Sequence, residues 1–224
     1  MSALVVLSGG MDSVTALHWA ATLHDRVDAL SVNYGQRHVR ELAAASSQAS
    51  VVGARWDVVD LSDVGALLTG SSLTDDVDVP RGHYADETMR ATVVPNRNAI
   101  LANVAAGVAV ARGHDALVLG VHSGDHAIYP DCRPEFVDAL SALLQVANYD
   151  VVRVEAPFLH TDKVGILRVG HALGVDYSQT WTCYVGGDVA CGTCGSCVER
   201  REAFDTIGVR DPLPYLTDVH DAVL

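Results

Sequence analysis

The segment Ala3-Leu4-Val5-Val6-Leu7 is an unbroken apolar run that stops at Ser8-Gly9-Gly10, after which Val14, Leu17, Ala20 and Ala21 recur at helical spacing. A short run without polar alternation reads as a buried strand, and a strand that passes through a glycine turn into a helix opens a β-α unit. The alternation continues, with strands expected over residues 27–34 and 56–61 and helices over 39–51 and 63–68. Further along come an alanine-rich helix at 98–111, a buried strand at 115–121, a helix at 134–147, a strand around 151–155 and a helix at 162–173. Pro134 and Asp162 are starting signals for the last two helices, by fixed φ and by capping. Strands separated by helices imply right-handed crossovers, so the expected fold class is α/β with a doubly wound parallel sheet. Residues 69–92 lack a period and are expected to form a long loop over the carboxyl edge of the sheet. After residue 175 the character changes, dividing the chain into an α/β domain, 1–175, and a small cysteine-bearing segment packed on it, 176–224.

Composition narrows the function classes. At 224 residues and 49% hydrophobic, the chain has enough apolar surface for a core. Its formal charge is −13, and Lys163 is the only lysine. Such a surface repels phosphate backbones, so no nucleic-acid partner is expected. No apolar stretch approaches the roughly 18–20 residues of a membrane span, and a cytoplasmic location is expected without membrane association.

Two motifs carry chemistry. Ser8-Gly9-Gly10-Met11-Asp12-Ser13 lies between a strand and a helix, where glycines let backbone amides approach an anion and the helix start offers unpaired N–H groups. It lacks the Gly-Lys-Ser/Thr of a Walker A loop and the spacing of Gly-x-Gly-x-x-Gly. Near the end, Cys183, Cys191, Cys194 and Cys197 have the paired short spacings that gather four thiolates about a tetrahedral ion. Zn²⁺, one per chain, is the expected metal, with an iron–sulfur cluster or redox-active pairs as alternatives. Four protein ligands close the coordination sphere and imply a structural role. Cys132 stands alone.

The glycine motif resembles the Ser-Gly-Gly-x-Asp-Ser loop of the PP-loop ATP pyrophosphatases, of adenine nucleotide alpha hydrolase-like fold, which grip the pyrophosphate of ATP and transfer AMP to a substrate oxygen. Together with the cysteines it makes the chain similar, over nearly its whole length, to the 7-cyano-7-deazaguanine synthase family of queuosine and archaeosine biosynthesis. The matching segments are Tyr34-Gly35-Gln36-Arg37-His38, Val94-Pro95-Asn96-Arg97-Asn98, Tyr129 to Phe136, and Thr182-Cys183-Tyr184, in the family's order. Asn96 departs from the glycine expected there, though Asn tolerates positive φ. His126-Ala127-Ile128 also departs from the family's small and aromatic residues, which bears on substrate fit.

The resemblance implies an ATP-dependent ligase that takes 7-carboxy-7-deazaguanine and ammonia to 7-cyano-7-deazaguanine, using ATP and Mg²⁺, with a homodimer as a further expectation. It implies an ATP site of Leu7, Ser8, Gly9, Gly10, Met11, Asp12, Ser13, Val14, Thr15, Ala16, Leu17 and Arg37. Within it the Ser8, Ser13 and Thr15 hydroxyls would donate to phosphate and Asp12 would help hold Mg²⁺. Catalytic roles would fall to Asp12, Arg97, Lys163 and Arg133, and substrate contacts to Asp125, Tyr129, Asp131, Cys132, Arg133 and Glu135. His38 and His122 are candidate proton carriers. Two other readings stay open on the residues alone: a PP-loop tRNA-modifying enzyme, which the acidity opposes, and a catalytically silent binding module held together by metal.

Overall fold

The computed structural model describes residues 1–36, 39–75, 77–83 and 87–217. Five strands, β1 (Ser2–Val6), β2 (Arg26–Asn33), β3 (Arg55–Asp60), β4 (Ala116–Val118) and β5 (Arg153–Glu155), form one sheet in the order β3-β2-β1-β4-β5. All four pairings are parallel. The helices between them are α1 (Met11–Leu23), α2 (Val39–Val52), α3 (Ser62–Gly65), α4 (Arg97–Ala111), α5 (Pro134–Ala147) and α6 (Lys163–Ala172), and α7 (Gly195–Thr206) follows.

β1 lies at the centre, which explains its unbroken apolar sequence. Ala3, Val5 and Leu7 pack on one face against residues of α1, α2, α6 and α7, while Leu4 joins α4 and α5 on the other. Each large side chain so buried stabilises the fold by roughly 1.5–3 kcal/mol. The buried Ser31 hydroxyl is satisfied on both sides, donating to the Leu7 carbonyl at 2.6 Å and accepting from Trp56 Nε1 at 2.8 Å. That bond fastens the end of β1 to β2 just below the glycine loop.

Two elements are shorter than their sequences predict. The strand expected over 115–121 pairs only across Ala116–Val118, because the chain then leaves the sheet to line the crevice through Gly120 and Val121. The helix expected over 63–68 keeps a single turn, Ser62–Gly65. Helix starts follow the predicted chemistry: Pro134 sits in the first turn of α5, and the Asp162 carboxylate accepts from Gly165 N–H at 2.8 Å. Asn96 is the one non-glycine with positive φ among the described residues, at 57°. Around the cysteines, Trp181, Val79, Leu213 and Tyr215 build a separate small core, whereas Ala203 and Phe204 of α7 belong to the main one. Among the described residues no helix is long and apolar enough to cross a membrane.

Candidate active site

The sheet order reverses between β1 and β4, so the loops leaving their carboxyl ends diverge and open a crevice. The glycine loop is its rim. Gly9 has φ +87°, and a Cβ there would lie 2.1 Å from the Glu41 carbonyl oxygen. Its own carbonyl accepts from Trp181 N–H at 3.0 Å, which ties the loop to the cysteine segment. Gly9→Ala therefore meets both a forbidden φ and a backbone clash, and is expected to destabilise the fold by about 3 kcal/mol or more, read as a lowered urea midpoint.

α1 begins behind Gly10 with no side-chain cap, leaving its first N–H groups for an anion. Ser8 Oγ lies 2.9 Å from Ser13 Oγ, and Ser13 Oγ donates to the Gly10 carbonyl at 3.1 Å. These hydroxyls shape the loop they belong to.

The cavity behind the rim holds about 220 Å³. Leu7, Ser8, Gly10, Asp12 and Ser13 form one wall, Arg97, Asn98, Asp125, Tyr129 and Cys132 another, with Lys163 between them. Of the expected ATP residues, Met11, Val14, Ala16 and Leu17 face the core instead. The Thr15 hydroxyl donates to the Met11 carbonyl at 2.7 Å, lies 2.8 Å from Tyr177 Oη, and does not line the cavity. A helix that shows one face to the cavity must bury the opposite one. Arg37 and His38 lie outside the described residues.

Three of the expected substrate contacts also lie elsewhere. Asp131 caps α4, accepting from Asn98 N–H at 2.8 Å; Arg133 Nε donates to the His126 carbonyl at 2.7 Å. Glu135 occupies the first turn of α5, and none of the three lines the cavity. Cys132 does line it, but its thiol is within 3.1 Å of Asn98 Nδ2 and burial pushes it far above the usual thiol range, so it is a neutral wall group.

Lys163 and Asp12 form the charged centre. Lys163 Nζ donates to Asp12 Oδ2 at 2.7 Å and stands 3.2 Å from Glu199 Oε2. Burial favours the neutral amine, but Asp12 and Glu199 outweigh it and hold the ammonium well above its ordinary pKa. Burial likewise opposes the Asp12 carboxylate, and Lys163 and His122 overcome it to keep that group below the usual range. His122 is wholly buried, and its Nδ1 accepts from Gly124 N–H at 3.1 Å. Its Nε2 lies 3.4 Å from Asp125 Oδ2 and 3.1 Å from Lys163 Nζ.

Arg97 opens α4 with its guanidinium 5.7 Å from the Tyr129 ring centre. Glu41, on the cavity wall, is pushed up to about 8 by burial, with Arg97 opposing. The sign follows directly. Its folded pKa exceeds the unfolded one, so ionisation favours unfolding, and stability falls as pH rises from about 4.5 to about 8. Glu41→Gln is expected to flatten that slope and to raise stability at pH 8 by about 1–3 kcal/mol, measured by denaturant titration across pH.

The four cysteine sulfurs lie within 4.8 Å of one another, Cys191 and Cys197 at 4.0 Å. A tetrahedral site with metal–sulfur bonds of about 2.3 Å has edges of about 3.8 Å, so the donor set could hold a soft ion such as Zn²⁺. Thr193 and Cys194 N–H groups donate to Cys191 Sγ at 3.4 and 3.2 Å, which favours thiolate there. The segment also supplies Trp181, Thr182, Tyr184, Ser196 and Glu199 to the cavity wall. Spacing exposed the four ligands; nothing in the sequence distinguished Glu199 or Glu41 from other surface acids.

With Ser8-Gly9-Gly10-Met11-Asp12-Ser13 at the switch point of a parallel α/β sheet, the chain has the PP-loop class of fold. Two solved structures share that fold: the U34-tRNA thiolase NcsA from Methanococcus maripaludis, with TM-score 0.50 and 17% identity, covers 92% of this chain and 64% of its own. A predicted subunit of tRNA methyltransferase from Methanocaldococcus jannaschii has TM-score 0.50 and 13% identity, over 94% of this chain and 90% of its own. The model of the queuosine biosynthesis protein QueC family matches residues 2–208, and the chain belongs to that family. Relatives named 7-cyano-7-deazaguanine synthase include that of Marinobacter nauticus, 57% identical over 96% of this chain and 97% of its own length. That of Hahella chejuensis is 53% identical over 95% and 92%.

Proposed function

We propose that this chain is an ATP-dependent carbon–nitrogen ligase that converts 7-carboxy-7-deazaguanine and ammonia into 7-cyano-7-deazaguanine. The observation that carries the reading is the pairing of Asp12 with Lys163 at the mouth of an uncapped glycine loop, in a chain 57% identical to a relative of that name.

A carboxylate resists amines because its carbon is electron-rich and oxide cannot leave. In the first step a substrate carboxylate oxygen attacks the α-phosphorus of ATP, pyrophosphate departs, and an acyl adenylate forms. Ammonia then displaces AMP to leave an amide and a proton. In the second round the amide oxygen attacks the α-phosphorus of another ATP, pyrophosphate departs again, and a proton is lost from the amide nitrogen. Release of AMP and a second proton closes the nitrile.

The residues serve by position and charge. Backbone N–H groups in the first turn of α1 would receive the departing pyrophosphate. Lys163 would stabilise charge on the α-phosphate. Arg97 would hold the substrate carboxylate among Tyr34, Tyr129 and Tyr184. Asp12 Oδ1 is buried and makes no hydrogen bond among the described residues, which fits a bound cation. Mg²⁺, when bound there, would neutralise phosphate charge. Zn²⁺ on Cys183, Cys191, Cys194 and Cys197 would supply a cross-link and leave the chemistry to the cleft.

The test is mass spectrometry of product from carboxy-deazaguanine, ATP and ammonium. Nitrile, with AMP and pyrophosphate released in equal amounts, is the expected result; no turnover of ATP would overturn it.

A further inference from the structure

We propose that Glu199 is a positioning residue through which the cysteine centre holds Lys163 in place. Cys194 precedes α7 as its cap, Cys197 lies in its first turn, and Glu199 follows two residues later. The helix is restrained on both sides of that carboxylate. Before it, the sulfurs converge and Ser196 Oγ donates to the Thr182 carbonyl at 2.7 Å. After it, the wholly buried Arg200 binds Asp211 at 2.8 and 2.9 Å and Thr180 Oγ1 at 2.7 Å. A Cβ on Gly124 would come within 3.0 Å of Glu199 Oε1, so the loop at 123–125 closes over the carboxylate. Glu199 is therefore held in place, and its Oε2 stands 3.2 Å from Lys163 Nζ.

Lys163 needs such an anchor. Its stem has several rotatable bonds, and of the carboxylates about it, Asp12, Glu199 and Asp125, Asp12 belongs to the glycine loop and would be drawn toward the nucleotide and its cation. Glu199 is the neighbour that nucleotide binding leaves in place. The role in turnover rests on the function proposed above; the restraint on Lys163 does not.

Because Lys163 is the only lysine, its exposure can be read by itself. Glu199→Gln and Glu199→Leu would be compared with the unaltered protein in acylation of Lys163 by acetyl N-hydroxysuccinimide, followed by peptide mass spectrometry. Metal content, melting temperature, kcat and KM for ATP would be measured on the same samples. Expected are unchanged bound metal and cooperative melting, Lys163 acylation at least about fivefold faster, and kcat about 10–100-fold lower with KM for ATP changed less than about threefold. Wild-type acylation and kcat in Glu199→Leu would overturn the proposal. So would loss of metal and fold in both variants in step with kcat, which marks a merely structural residue. If the unaltered protein makes no nitrile, the function fails, while the acylation and metal measurements still decide the role of Glu199.

Discussion

Asp12→Asn is expected to lower AMP release from ATP by roughly 10²- to 10³-fold, with circular dichroism and metal content unchanged. Asparagine keeps the shape of the side chain and removes the charge. Lys163 would lose its 2.7 Å partner, and the unbonded Oδ1 would no longer be an anionic ligand for a cation on the phosphates. Glu199 remains beside Lys163, so the ammonium keeps a counter-charge and the fold survives. Lys163→Met should lose a similar factor, and the double variant should lose little more, because the pair acts as a unit. Turnover within about threefold of the unaltered protein would refute the assignment of Asp12 to the reacting phosphates.

Cys194→Ser is expected to have the largest effect on stability. The sulfur is wholly buried, belongs to the four-donor set, and sits where the chain enters α7. Serine is a poor ligand for a soft ion, and metal affinity at a closed site is folding free energy, so the loss should reach several kcal/mol. Bound metal measured by plasma mass spectrometry should fall together with the melting temperature. Activity should fall as well, since Trp181, Tyr184, Ser196 and Glu199 form part of the cavity wall. One full equivalent of metal at an unchanged melting temperature would show that these cysteines do not form a metal centre.

Local chemistry was legible wherever a residue acts through its neighbours in the chain. The apolar run before Ser8, the adjacent glycines and the helical spacing after them specify a strand, a turn and a helix, because each depends only on backbone preferences and burial period. The cysteine spacing is legible for the same reason: Cys191, Cys194 and Cys197 lie close enough in sequence to share one ion. Asp162 as a cap and Asn96 as a positive-φ residue are equally local facts.

Direction was not legible. Thr15 is two residues beyond Ser13 on α1, about 200° around the helix, so it turns from the phosphate loop toward Tyr177. Asp131 and Arg133 flank a cavity residue, Cys132, yet point to α4 and to the His126 carbonyl. Neighbours in a tight turn diverge, and the motif around Tyr129 to Phe136 could not say which of them faces the ligand.

By itself, then, the sequence determined a parallel α/β chain with a glycine loop after its first strand and a four-thiol centre near its end, since these follow from interactions over a few residues. The tertiary structure alone decided which charges meet. Asp12 and Lys163 are 151 residues apart, and Glu199 reaches Lys163 only because α7 is docked beside α6. The physical reason is the range of the forces involved: backbone preference acts within a turn or two, whereas an ion pair depends on the rotation and register of packed helices, which the whole core sets at once.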